Sequence, residues 1–245
     1  MRQFIFTIIA VTALATATAA ALASSTTGSI TPAPYIATYV VNYRGVEVGR
    51  LRFELRTEEA GRFVFETRAE PGMIASFVVG SDAVERSVMH IDQNGVRPLS
   101  WYLDDGKPGD AKDGALTFDW DEKRITGIVE GQRVQLPTEP QLQDRLSLQI
   151  AVLTTLLRGQ VPSSIPLIDH NKIKRYSYRR TGAEQIKTPA GEFATVLYES
   201  TRPGSSRVSR VWHAPTLDYI PVRAEQVRKG KVETVMELIQ VQLSN

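Results

Sequence analysis

From Tyr35 to Leu243 apolar residues recur at every second position in one short segment after another, and a single stretch breaks that period. Residues 144–157, DRLSLQIAVLTTLL, place Leu146, Leu148, Ile150, Val152, Leu153, Leu156 and Leu157 around more than half of a helix at about 100° per residue. A helix that apolar needs cover on most sides. Strands with one apolar face need something to pack against, so the two requirements meet in one arrangement. The expected fold is mainly β: a single strongly curved antiparallel sheet, a half-open barrel of about a dozen strands, wrapped around one central helix. Asp144 reads as its N-cap, and Arg158-Gly159 supplies a cation and then a C′ glycine at the other end. Thr154 falls on the narrower polar side and is expected to face solvent.

The strand signal is clearest in residues 46–56, where Leu51, Phe53 and Leu55 alternate with Arg50, Arg52, Glu54 and Arg56. One face meets a core and the other water, as in an antiparallel sheet. Residues 35–43, 62–70, 82–92 and 97–103 continue the pattern, with Gln93-Asn94-Gly95 as a hairpin turn. The apolar run MIASFVV at 73–79 is too short for periodicity to fix its type. After the helix, strands are expected at 165–170, 172–180, 184–188, 193–200, 206–213, 220–228 and 231–243. No polar stretch long enough to be an interdomain linker divides them, so residues 35–245 read as one domain.

Residues 1–23 pair Arg2 with an apolar run from Phe4 to about Leu14 and an alanine-rich end, the make-up of a cleavable secretory signal with cleavage near Ala23. The apolar core is shorter than the roughly 20 residues a spanning helix takes. Residues 24–34, rich in Ser, Thr, Gly and Pro, read as a flexible leader. The expected location is the periplasm, with no membrane span in the mature chain. The absence of cysteine excludes disulfides and thiolate metal sites. With 29 basic residues against 27 acidic ones, the chain has no electrostatic reason to bind nucleic acid.

Chemical signatures are few. His90, His170 and His213 lie far apart, and neither G-x-S-x-G nor S-x-x-K occurs, so no catalytic residue, metal ligand or cofactor site is assigned. The acidic loop around Asp104, Asp105, Asp110 and Asp113 lacks the spacing of a calcium loop and reads as a solvated hairpin. The candidates for lining a ligand cleft are Trp101, Trp120 and Trp212, with Leu153 on the helix face and Ser147 at its first turn.

The order of several short motifs resembles the exported bacterial proteins grouped as domain-of-unknown-function family 3108. They are G-V-E-V-G at 45–49, Gly95-Val96-Arg97-Pro98, Q-D-R-L-S at 143–147, T-P-A-G-E-F at 188–193, and V-W-H at 211–213 followed by P-V-R at 221–223. The resemblance carries no catalytic residues. It also implies a looser likeness to periplasmic lipoprotein carriers, whose half-open barrels enclose helices and apolar ligands. The leading expectation is therefore a non-enzymatic envelope protein with a cleft for a lipid-like or other apolar ligand. Two alternatives come from other classes: an enzyme acting on an envelope glycan through paired carboxylates, and a module that binds an envelope protein partner along an exposed sheet edge.

Overall fold

A computed structural model of the chain describes residues 31–59, 61–71, 83–109 and 112–244. The expected signal segment 1–23 and the apolar run 73–79 lie outside the described residues. The first half of the chain contributes β1 (Tyr35–Tyr43), β2 (Val46–Glu59), β3 (Arg62–Pro71), β4 (Val84–Asp92), β5 (Gly95–Asp104), β6 (Gly114–Asp119), β7 (Arg124–Val129) and β8 (Gln132–Pro137). Helix α1 (Ser147–Leu157) follows. Then come β9 (Ser164–Asp169), β10 (Lys172–Thr188), β11 (Gly191–Thr201), β12 (Arg207–His213), β13 (Pro221–Arg228) and β14 (Lys231–Leu243).

These form one 14-stranded sheet in the order β8-β7-β6-β5-β4-β3-β2-β1-β14-β13-β12-β11-β10-β9. Every neighbouring pair is antiparallel, and every pair but one joins strands consecutive in the chain. The exception, β1 with β14, welds the first and last strands and so makes one sheet of two meanders. The expected curved antiparallel sheet around a helix is the observed one, with fourteen strands rather than about a dozen. The separate strands expected at 172–180 and 184–188 are one strand, β10, whose pairing with β11 shifts register between Arg180 and Gly182.

The sheet curls until its edges, β8 and β9, approach without pairing. The segment entering α1 stitches the seam: Gln143 N–H donates to the Pro166 carbonyl and Ile168 N–H to the Gln143 carbonyl, both at 2.9 Å. An ion pair from Arg175 to Glu139 at 2.7 Å and a contact of His170 Nε2 with the Glu130 carboxylate at 3.1 Å span the same gap. Outside, a ladder of alternating charge crosses β10 to β14 through Arg179, Glu199, Arg210, Glu225, Arg223 and Glu237. Single exposed pairs stabilise by less than about 1 kcal/mol, but the row keeps the outer face polar where the inner face has other work.

Helix α1 begins at Ser147 rather than at the expected first residue, Asp144. Asp144 nevertheless serves its first turn: Oδ1 accepts the N–H groups of Leu146 and Ser147 at 2.9 and 2.8 Å, and Ser147 Oγ accepts Asp144 N–H at 2.9 Å. That reciprocal pattern satisfies donors the helix cannot satisfy itself. Gly159 ends the helix at φ +68°, the left-handed position expected of a C′ glycine. Thr154 corrects the sequence expectation: it is only 2% exposed, enclosed like Ile150 and Leu153, because the sheet and seam cover the side that looked free.

Candidate functional site

The helix does not sit midway in its sheet. It packs most closely on β5 and β4, and polar contacts hold it there from end to end. Ser87 Oγ of β4 donates to Asp144 Oδ2 at 2.7 Å, and Arg145 Nε donates to Glu85 at 3.0 Å. Gln143 Nε2 donates to the Val96 carbonyl at 2.8 Å, and the Arg158 guanidinium donates to the carbonyls of Asp92 and Gln93. On that side the interior is packed, and a more polar cleft of about 580 Å³ lies at its margin, lined by Val96, Arg97, Trp120, Gln143, Thr154 and Arg158. Trp101, Leu116, Phe118, Ile125, Val129, Val134, Leu142 and Ile168 form one closely packed cluster. Gly114 leaves room for the Trp101 ring, since a Cβ there would lie 2.6 Å from it.

On the other side the helix stands away from β10 to β13 and a cavity of about 420 Å³ remains. Its helix wall is the face carrying Arg145, Leu148, Gln149, Val152 and Leu153. Residues spaced three or four apart share one face, which is why these five look the same way. The sheet wall is built of rungs. Tyr198 of β11, Val211 of β12, Ala224 of β13 and Met236 of β14 are successive cross-strand partners and make one of them. Tyr35 and Phe53 add aromatic surface, and His213 lies one rung further along β12. Small side chains at Val211 and Ala224, where β4 to β6 carry Met89, Trp101 and Phe118, leave the space unfilled.

His213 is the one imidazole on this wall. Its Nδ1 lies 2.8 Å from the Tyr219 carbonyl, so Nδ1 carries the proton and Nε2 is an acceptor. Burial pushes its pKa down to about 4, against the smaller upward pull of that hydrogen bond, and the ring is neutral at physiological pH. Asp144 lies outside the cavity lining. Burial raises its pKa to about 6 in spite of the hydrogen bonds from Ser87, Ser147 and Leu146. The only ionised residue lining the cavity is Arg145, whose charge is answered by Glu85 and whose guanidinium lies 4.9 Å from the Trp101 ring centre.

Of the five residues singled out from the sequence, Leu153 lines the cavity. Trp101 lies in the packed cluster, its Nε1 donating to Glu85 at 2.7 Å. Trp120 packs at the edge of the same cluster and donates to the Pro98 carbonyl at 2.7 Å. Trp212 points away from the cavity on β12, beneath the Arg223 guanidinium, and donates to Glu184 at 2.6 Å. Ser147 is fully buried in the helix start. Asp104, Asp105 and Asp113 bring three carboxylates together. Each, however, accepts a backbone N–H of the loop itself, from Gly106, Lys107 and Asp105 respectively. Sequence reading missed Tyr178, Ser200, Ser209 and Gln226, which also line the cavity.

Fold and site together define a barrel-like β protein: one antiparallel sheet curled around an off-centre helix, with an interior cavity on one side. The chain belongs to the family described as protein of unknown function DUF3108, which residues 38–237 match. No curated protein matches it. Among solved structures it is similar to a beta-barrel-like protein of domain of unknown function DUF1849 from Brucella abortus, at 10% identity and a TM-score of 0.51. That alignment covers 88% of this chain and 99% of the other, and it shows a shared fold. A match of lower similarity is MucB in the Pseudomonas aeruginosa MucA/MucB complex, at 13% identity and TM-score 0.38, covering 89% of this chain and 54% of that one. Another is described as an outer membrane lipoprotein-sorting protein domain from Vibrio parahaemolyticus, at 9% identity and TM-score 0.30, covering 87% and 86%. Among the described residues no helix is long and apolar enough to cross a membrane.

Proposed function

We propose that this is an exported, non-enzymatic protein of the bacterial periplasm that takes an apolar or lipid-like ligand into the cavity between α1 and strands β10 to β13. The observation that carries the reading is the cavity itself. Its volume of about 420 Å³ falls within the roughly 300–1,000 Å³ range of small-molecule sites. Its walls are largely aliphatic and aromatic, so burial of a hydrocarbon chain would drive binding at about 25 cal/mol per Å² before the costs of association. The apolar run and small residues of segment 1–23 support export. The glycan-acting alternative takes two carboxylates across one groove, and no Asp or Glu is among the residues that line this cavity.

The test is a fluorescence titration of delipidated protein with N-phenyl-1-naphthylamine, an uncharged apolar probe. Saturable binding of one probe per chain is expected, weakened at least tenfold in Ala224→Phe, which puts a ring into the space. Absence of saturable binding in the wild type would move the assignment to a module that binds an envelope partner along a sheet edge.

A further inference from the structure

The polar side chains of the cavity are not scattered. Tyr178 of β10 pairs with Ser200 of β11, Ser200 with Ser209 of β12, and Ser209 with Gln226 of β13. All four line the cavity, so they form one polar rung across four strands of its wall. The next rung in is the largely apolar row Tyr198, Val211, Ala224 and Met236. Exposure runs the same way. Gln226 is exposed and Ser200 and Ser209 are half-buried, with Gln149 and Arg145 exposed on the facing helix; Tyr198, His213, Val152 and Leu153 are buried. The cavity therefore has a hydrogen-bonding rim and an apolar interior. A ligand that matches both is an amphiphile with its head at the rim.

The character of the rim decides which head. Ser209 Oγ and Gln226 Nε2 are hydrogen-bonded to each other, and Tyr178 and Ser200 have no side-chain hydrogen-bond partner among the described residues. Hydroxyls and an amide both donate and accept, as a hydroxylated or amide-bearing head does. Among the residues that line the cavity no positive charge is without a partner, and Arg180, which faces Tyr198 across β10 and β11, lies outside that lining. Arg145 is neutralised by Glu85, and His213 sits deep and uncharged. A carboxylate or phosphate drawn into this rim would lose water and meet only a cation already paired with Glu85, a penalty an uncharged head avoids. The volume lies toward the lower end of the range for small-molecule sites, which suits one acyl chain rather than two.

Resting on the cavity reading above, we infer that the rung Tyr178, Ser200, Ser209 and Gln226 selects an uncharged, hydroxyl-bearing single-chain amphiphile over its anionic counterpart. Displacement of bound N-phenyl-1-naphthylamine at pH 7.5 tests this with two ligands of equal chain length, monododecanoylglycerol and dodecanoate, below their micellar concentrations. The glycerol ester is expected to displace the probe at a concentration at least tenfold lower. The double variant Ser209→Val, Gln226→Leu should reduce that ratio to within about twofold, both ligands being read against that variant's own probe affinity, and Tyr178→Phe should reduce it in part. Equal or tighter binding of dodecanoate, or an unaltered ratio in the double variant, overturns the assignment of the rung. Failure of the probe to bind the wild type would instead overturn the cavity reading, and this inference with it.

Discussion

The two sides of α1 use the same sheet differently. Toward β4 to β8 the interior is filled by large side chains, Met89, Trp101, Phe118 and Ile125 among them, and the helix is fastened to β4 and β5 by Asp144, Arg145, Gln143 and Arg158. Toward β10 to β13 the short inward residues Ser200, Ser209, Val211 and Ala224 stand among Tyr178, Tyr198 and His213, and the helix meets that side through the apolar cluster of Val152, Leu156, Ile165 and Tyr198. The lesson is that a cavity does not need a special loop or lid. An off-centre helix with small residues on the far wall is enough, because packed interiors leave space only where side chains are too short to fill it.

Truncation on each side is the strongest way to break that comparison. Phe118→Ala should cost about 3–5 kcal/mol in urea unfolding, since the packed cluster cannot collapse around the loss. Val211→Ala should cost about 1 kcal/mol or less, because much of the Val211 side chain already faces empty space. Equal costs would mean that the far side is as tightly packed as the near one.

The second test uses pH, because each side buries one titratable group with a shift of opposite consequence. Asp144 has its pKa raised to about 6, so the native state holds the proton longer than the unfolded chain and stability falls as pH rises from about 4 to 6. His213 has its pKa lowered to about 4, so its contribution is complete above about pH 6.5 and is lost as pH falls toward 4. Each shift corresponds to about 3 kcal/mol, and between pH 4 and 6 they oppose each other. Relative to wild type, Asp144→Asn should lose stability on acidification over that window, and His213→Gln should gain it. Urea midpoints taken at intervals from pH 4 to 7 would show both slopes, and parallel profiles for all three proteins would refute the pairing.

Smaller effects sharpen the account of the helix. Asp144→Ala should cost about 2 kcal/mol, since two first-turn N–H groups and the Ser87 hydroxyl lose their acceptor, while Asp144→Asn keeps an acceptor and should cost much less near neutral pH. Thr154 is buried with its hydroxyl unpartnered, so Thr154→Val should stabilise by up to about 1 kcal/mol in thermal or urea unfolding. A loss of stability there would show that the hydroxyl has a partner the contacts above do not include.

Much of the fold was legible in sequence because one-sided strands and an apolar helix leave few ways to bury both. Leu51, Phe53 and Leu55 against Arg50, Arg52 and Arg56 fix the inner and outer faces of β2 without ambiguity. The site was harder to read. Of the tryptophans expected at a cleft, Trp101 fills space beside Phe118 on the near side, and Trp212 is buried under Arg223 on the face of β12 opposite Val211. The residues that leave room for the cavity include short or polar ones at inward positions, Ser200, Ser209, Val211 and Ala224, set among tyrosines. In β12 the inward set Ser209, Val211 and His213 alternates with Val208, Arg210 and Trp212, so both faces carry apolar residues and hydrophobic period alone does not choose between them. The usable signal would have been the cross-strand coincidence of Ser200, Ser209 and Gln226, which requires the register and therefore the structure. Thr154 was misjudged for a related reason, since the seam residue Gln143 and its neighbours close over a helix side that no periodicity reveals.

The central claim, that an apolar chain enters on the β10 to β13 side alone, is tested most directly by methyl-detected NMR during titration with dodecan-1-ol. The account predicts saturable shifts at the methyl groups of Val152, Leu153, Val211 and Met236, with those of Leu116, Ile125, Val129 and Val134 unmoved. Shifts centred on the second group, or none at either while the alcohol is in excess, would contradict it.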